Sequence, residues 1–108
     1  MRRAERAGEN LFVSVTVVLE LEWVLRSRYD YAKEQVLTAL SSLLETRELD
    51  FQLEAAIESA LDNYRRHRVD FAECLHHGCA ASAVRLPLLT FDRAATRIPD
   101  IRWAGSMP

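Results

Sequence analysis

The chain is poor in the residues that mark several classes of protein. It has three glycines and three prolines in 108 residues, too few for a collagen-like chain or a flexible linker. No apolar run approaches the roughly 18 residues of a membrane-spanning helix, and the N-terminal residues lack the apolar core of a secretory signal. Two cysteines without an export signal predict reduced thiols and a cytoplasmic protein with no membrane contact.

The chain also lacks a large excess of charge of either sign. The 14 basic and 16 acidic residues nearly cancel, so any contact with nucleic acid would depend on local basic patches. About half of the residues are hydrophobic (49%) and 28% are charged, which is the balance of a folded globular chain. The length predicts a single domain, residues 1–108.

The pattern of apolar residues predicts helices that alternate with short strands. Helical spacing indicates four helices, at about residues 16–29, 31–45, 53–66 and 70–83. Short apolar or β-branched runs predict strands at 11–15, 49–53, 86–91 and 101–103, with a helical turn at 93–96 and a helix end at 1–7. Strands separated by helices pair in parallel, so we expect an open α/β sheet whose ligands lie past the carboxyl ends of the strands.

Glu20 and Glu22 are adjacent acids on the first of these four helices with different expectations. Val17 and Val24 flank Glu20 at helical spacing, which places it on the apolar stripe, where a carboxylate is costly unless it is paired or bound to a cation. The alternative is that Glu20 reaches water at the edge of the stripe. Glu22 precedes Arg26 by four residues, which predicts a solvated surface ion pair.

Three further carboxylates lie where chemistry is expected. Asp92 follows an apolar run and would point into the crevice beyond a strand, or else cap the next turn. Asp70 and Glu73 share the first turn of a helix, either as a capping box or with Glu73 projecting inward. Converging carboxylates repel one another unless a divalent cation neutralises them, and Mg²⁺ or Mn²⁺ bound in this way supports phosphodiester hydrolysis.

Three blocks of sequence resemble the PIN domain, in the form found in VapC-like toxins of bacterial toxin–antitoxin pairs. They are residues 13–25, 69–76 and 88–93. The resemblance implies a PIN-like parallel sheet flanked by helices, and a metal-dependent endoribonuclease of the cytoplasm. It also implies an RNA substrate, a cognate antitoxin protein and a homodimer.

The same resemblance assigns the site. Glu20, Asp70, Glu73 and Asp92 would hold Mg²⁺ or Mn²⁺, and Glu20, Glu73 and Asp92 would be the catalytic residues. Glu73 departs from the family pattern, which usually has an aspartate at this position. Its extra methylene changes the reach of the carboxylate toward a metal.

A second departure is at the start of the chain, where nothing before Leu11 resembles the family's first strand and its aspartate. A misplaced start codon, a fragment and a decayed toxin are competing explanations, and each predicts a partial domain of weak or absent activity. The alternative function is therefore an inactive PIN-like remnant that only binds an antitoxin or dimerises. A third possibility is an unrelated α/β domain whose carboxylates are caps and surface charges.

Other residues have two interpretations each. The basic run 65–68 would hold RNA phosphates or complement a helix C-terminus. The Leu-rich face of the second helix would form part of an antitoxin groove or ordinary core, and Cys74 and Cys79 are expected to be small buried thiols. Three aromatic side chains would form a partner-facing surface or pack at helix edges: Trp23, Tyr29 and Tyr31.

Overall fold

The computed structural model describes residues 10–83, 88–90 and 92–104. The strands are β1 (Leu11–Val13), β2 (Leu49–Phe51), β3 (Leu88–Thr90) and β4 (Ile101–Trp103). The helices are α1 (Val15–Ser27), α2 (Lys33–Leu44), α3 (Glu54–Arg66) and α4 (Phe71–Ser82), with a 3₁₀ helix at Arg93–Arg97. The predicted α/β class and the order of these elements are confirmed.

At most of the element ends, the predicted bound differs from the observed one by a few residues. The second strand ends at Phe51 and not at Leu53, whose positive φ of 52° turns the backbone out of the strand and into α3. The predicted helix end at residues 1–7 lies outside the described residues, as do residues 86, 87 and 91 of the third predicted strand. None of the described helices has the length and apolar character that a membrane span requires.

The described residues divide into two compact units at the junction between Glu54 and Ala55. In the first unit β1 pairs in parallel with β2, with Leu11 opposite Leu49. The pair is parallel because α1 and α2 lie between its strands and return the chain to the same end. The side-chain amide of Asn10 donates to Asp50 Oδ1 at 3.1 Å, next to the pair.

The helices of the first unit begin at polar side chains and bury an apolar face. Ser14 Oγ accepts from the N–H of Val17 at the start of α1, and Gln35 Oε1 accepts from the N–H of Ala32 at the start of α2. Both bonds satisfy N–H groups that a helix terminus leaves unpaired. The buried apolar residues of this unit are Val18, Val36, Leu37 and Leu40.

The second unit is built on contacts between α3 and α4. The buried residues of α3 recur at helical spacing: Ala56, Ile57, Ala60, Leu61 and Tyr64. The Tyr64 and Phe71 rings meet edge to face, with centroids 5.5 Å apart. Gly78 of α4 faces the backbone of Ala56, where a Cβ atom would overlap the carbonyl oxygen and lie 3.2 Å from the carbonyl carbon. The two helix backbones therefore approach closely at Gly78.

The other strand pair completes the second unit. β3 and β4 are parallel, with Leu88 opposite Ile101 and Thr90 opposite Trp103. The 3₁₀ helix lies between them, and Ala95, Ile98 and Ile101 are buried. Parallel pairing is thus confirmed, and the strands in the described part of the chain form two two-stranded sheets, one in each unit.

We predict that Gly78→Ala destabilises the chain. Alanine is intrinsically the better helix residue by about 1 kcal/mol, but its Cβ would push against the Ala56 carbonyl, which is backbone and cannot turn away. Overpacking of this kind costs about 1–3 kcal/mol, so we expect a lower midpoint of urea unfolding. The control is Ala81→Gly, which makes the reverse exchange at an exposed position of α4 and so measures the difference in helix propensity without any overlap. An unchanged or raised midpoint for Gly78→Ala would contradict the close approach.

Candidate active site

Asp70 occupies the N-cap position of α4, as predicted, but its side chain does not cap the helix. Its carbonyl oxygen accepts from the N–H groups of Glu73 at 3.1 Å and Cys74 at 3.2 Å. Its carboxylate makes no capping hydrogen bond, so the side-chain capping interpretation is wrong for this residue. The exposed Asp70 carboxylate is therefore not used to begin the helix.

Glu73 lies one turn further along α4 and is partly enclosed. Its side chain is 21% exposed, and its Oε2 atom is 4.0 Å from His76 Nδ1 on the next turn. This contact is an ion pair only when the imidazole is protonated. Glu73 thus combines partial burial with a titratable neighbour.

Asp92 follows β3 at its carboxyl end and begins the 3₁₀ helix. Its Oδ1 atom accepts from the N–H of Ala94 at 3.0 Å, which confirms the capping interpretation. The side chain is half-buried. Because a carboxylate has two oxygens with several acceptor positions, a cap of this kind is compatible with a second role.

Glu20 and Glu22 exchange the environments that the sequence predicted. Glu20 is exposed, so its place on the buried stripe is wrong and the alternative, a side chain that reaches water, is confirmed. Glu22 is only 3% exposed, so its expected solvation is wrong. The reason is the phase of α1, whose most buried apolar residue is Val18. Residue 22 lies about 40° from residue 18 around a helix, whereas residue 20 lies about 200° away.

The Glu22–Arg26 ion pair is itself confirmed. Arg26 Nε lies 2.9 Å from Glu22 Oε2, and the arginine side chain is 52% exposed. The pair therefore joins a buried carboxylate to a cation at the surface. Helical spacing between Val18 and Glu22 was the signal in the sequence that would have placed this acid on the buried face.

The predicted site residues are divided between the units. Glu20 belongs to the first, and Asp70, Glu73 and Asp92 belong to the second. Their oxygen atoms are the donors that Mg²⁺ and Mn²⁺ prefer. Within residues 10–83, 88–90 and 92–104, however, no group of three or more His, Cys, Asp or Glu side chains is arranged to hold a metal ion. The described residues do not by themselves form a metal site, and the metal-binding role of the four carboxylates stays a prediction.

The family model of the PIN domain matches residues 1–101. This chain belongs to the PIN domain family. The VapC ribonuclease of Aquifex aeolicus (strain VF5) is 28% identical to it over 68 residues, which make up 63% of this chain and 50% of that protein. The chain thus spans about half the length of this curated relative. No solved structure matches the chain.

The basic run of the PIN domain begins at the end of α3. Arg65 and Arg66 lie 3.8 and 3.3 Å from Asp62 Oδ1, so both contact an acid of their own helix. They also lie in the last turn of α3, where positive charge is favourable. These contacts support the interpretation as helix-terminal charge, and a role of the run in RNA binding stays a prediction.

The two predicted partner surfaces have different outcomes. Trp23 and Tyr29 are 50% and 66% exposed, and the Arg28 guanidinium lies 6.0 Å from the Trp23 ring centroid. By contrast, Val36, Leu37 and Leu40 of α2 are at most 3% exposed. Most of the Leu-rich face of α2 is therefore core, with Leu43 and Leu44 half-buried. Of the three predicted aromatic side chains, Tyr31 is the least exposed, at 37%.

The prediction of buried thiols is confirmed for Cys74 and holds only in part for Cys79. Cys74 is buried and Cys79 is half-buried, and both are unpaired by disulfide. Burial raises the pKa of the Cys79 thiol above its ordinary value, because the thiolate loses hydration. Since the thiolate is the reactive form, this shift lowers the reactivity of the Cys79 thiol at neutral pH.

We predict that removing Arg26 destabilises the PIN domain more than replacing Glu22 by an apolar residue does. Arg26→Ala takes the guanidinium from a buried carboxylate and should cost about 1–3 kcal/mol. Glu22→Leu removes the buried charge and should cost less or stabilise. Urea unfolding at neutral pH measures both. A larger loss for Glu22→Leu than for Arg26→Ala would contradict this account of the pair.

We also predict slow reaction of the cysteines with a disulfide reagent in the native state. At pH 7 the raised pKa keeps the Cys79 thiol protonated, so it should react more slowly than a free cysteine, and the rate should rise with pH. In urea both thiols should react at the free rate. The variant Cys79→Ser shows which part of the reaction belongs to Cys79 and which to Cys74. A reaction rate in the native state equal to that in urea would contradict the shielding of the thiols.

Proposed function

We propose that this PIN domain is an endoribonuclease toxin of a toxin–antitoxin pair that hydrolyses RNA phosphodiesters with the help of Mg²⁺ or Mn²⁺. The match of the PIN family model to residues 1–101 carries the proposal. The similarity to the VapC ribonuclease of Aquifex aeolicus supports RNA as the substrate. The carboxylates of Glu20, Asp70, Glu73 and Asp92 support hydrolysis as the reaction, although the aspartate of the family's first strand has no counterpart before Leu11.

We assign catalytic roles to Glu20, Glu73 and Asp92, and a supporting role in metal binding to Asp70. Carboxylates can orient a water molecule by accepting its hydrogen bonds and can accept a proton from it. Asp70 has no part in side-chain capping, and the half-buried Glu73 lies beside His76. No side chain of the described residues is proposed as a nucleophile, so water is the attacking group.

The proposal includes a cognate antitoxin protein, a second copy of the chain and a cytoplasmic location. The exposed Trp23 and Tyr29 support the protein partners, because aromatic side chains are enriched in protein interfaces. Single-domain organisation over residues 1–108 is part of the same proposal.

The test is cleavage of single-stranded RNA by the full chain with Mn²⁺, compared with EDTA. Glu73→Gln and Asp92→Asn should each lower the rate by about 10²-fold or more, the size of a lost acid–base or ligand role. Asp92→Asn is suitable because asparagine is also a good N-cap. Glu20→Gln tests the carboxylate of the first unit. The control is Glu58→Gln, which removes an exposed acid of α3 that has no proposed role.

The controls separate loss of activity from loss of fold. Unfolding midpoints should be similar for the wild type and these variants, and Mn²⁺ should raise the midpoint of the wild type because it binds only the native state. Cleavage that is equal in all variants would overturn the assigned residues. A folded wild type that cleaves no RNA and gains no stability from Mn²⁺ would overturn the nuclease and favour the inactive remnant.

A further inference from the structure

The guanidinium of Arg93 lies over the ring of Trp103 at the end of the second strand pair. The guanidinium carbon of Arg93 lies 4.2 Å from the centroid of the Trp103 ring. The register of β3 and β4 sets Trp103 opposite Thr90. Thr90 precedes Arg93 by three residues, so the register places the Trp103 ring near Arg93. An attraction between a guanidinium and an indole face is strongest at such short separations. The arginine is therefore held at a defined place beside the carboxyl end of β3.

This contact with the ring leaves the hydrogen-bonding capacity of the arginine intact. A guanidinium has five N–H donors around its rim, in the plane of the group, and a ring beneath it uses its face. Arg93 is exposed, and among the described residues its guanidinium contacts the Trp103 ring and no carboxylate, while its backbone carbonyl accepts from Thr96 Oγ1. It thus differs from Arg26, Arg65 and Arg66, each of which lies beside a carboxylate of its own helix.

The charge of Arg93 also offsets the repulsion that the proposed site residues would exert on an RNA strand. Asp70, Glu73 and Asp92 give the second unit three carboxylates that repel the phosphates of an RNA strand. Arg93 follows Asp92 directly, so a fixed positive charge accompanies the acid at the end of β3. Phosphate oxygens match the fork of a guanidinium in geometry as well as in charge.

We propose that Arg93, held by Trp103, is a substrate-positioning residue that binds a phosphate of single-stranded RNA beside Asp92. The inference rests on the proposed function for the identity of the substrate. It adds a cation that anchors the strand, and it gives Trp103 the role of fixing the orientation of that cation.

Binding without cleavage tests the inference. The probe is a fluorescein-labelled single-stranded RNA, titrated with the full chain in EDTA at several salt concentrations. Arg93→Ala should weaken binding about five- to tenfold at low salt. The slope of log K against log salt should fall in magnitude by about 0.7, the value for one lost phosphate contact on a single strand. Arg93→Lys keeps the charge and loses the fork, so its salt slope should stay near that of the wild type while affinity falls.

Arg102→Ala is the matched control. Arg102 is an exposed arginine of β4 that neighbours Trp103, but alternation along the strand points it to the opposite face. The substitution Arg102→Ala removes the same charge as Arg93→Ala and should leave the affinity for RNA and the salt slope nearly unchanged. Trp103→Phe retains a ring beneath Arg93 and should bind more tightly than Trp103→Ala. If Trp103→Ala fails to fold, the comparison of Arg93→Ala with Arg102→Ala still decides the matter.

The outcomes distinguish this inference from the proposed function. Equal losses for Arg93→Ala and Arg102→Ala, or no change in the salt slope for Arg93→Ala, would overturn the role of Arg93 even if the wild type cleaves RNA. Binding that depends on Arg93 in a chain that cleaves no RNA with Mn²⁺ would uphold the inference and overturn the nuclease.

Discussion

The close approach of α4 to α3 is the constraint on which the second unit depends. Gly78 brings the two backbones together at Ala56, and the edge-to-face contact of Tyr64 with Phe71 fixes the other end of the same interface. Phe71 is the first residue of α4, directly after Asp70. Packing of small and aromatic residues therefore holds α4 against α3, and with it the first turn that carries Glu73.

Much of this architecture was predictable because burial leaves a periodic record in the sequence. The apolar residues of α3 recur so regularly that the helix and its buried face follow from spacing alone. Asp92 was likewise predictable as a cap, since an acid between an apolar strand and a short polar segment is typical of a helix start. These features depend on neighbours within a few residues.

The failures concern choices that spacing leaves open. In α1 both Val17 and Val18 fit an apolar stripe, and only tertiary contacts select Val18, which carries Glu22 inward and Glu20 outward. At Asp70 the sequence shows a good capping residue but not whether its carboxylate will accept from an N–H group of the first turn. Whether four distant carboxylates converge depends on the whole chain, so no local pattern could settle the metal site.

The arginines of this chain show two uses of one side chain. Arg26 binds the carboxylate of the buried Glu22, so its charge stabilises another residue of the same helix. Arg93 follows an acid directly but turns to an aromatic ring, so Asp92 remains occupied with the N–H of Ala94 and the arginine with Trp103. Adjacent opposite charges in a sequence therefore need not form an ion pair, because the backbone geometry of a cap can direct them apart.

The brevity of the strands has a consequence for the order of folding. Within the described residues each strand has three residues, and most of the buried apolar side chains belong to helices. The first strand pair must close a long loop, since the Asn10–Asp50 bond beside it spans 40 residues, whereas a five-residue 3₁₀ helix lies between β3 and β4. Loop closure becomes costlier as the loop grows, and local contacts form sooner than distant ones. We therefore expect the C-terminal strand pair to form first and the N-terminal pair to wait for its two helices.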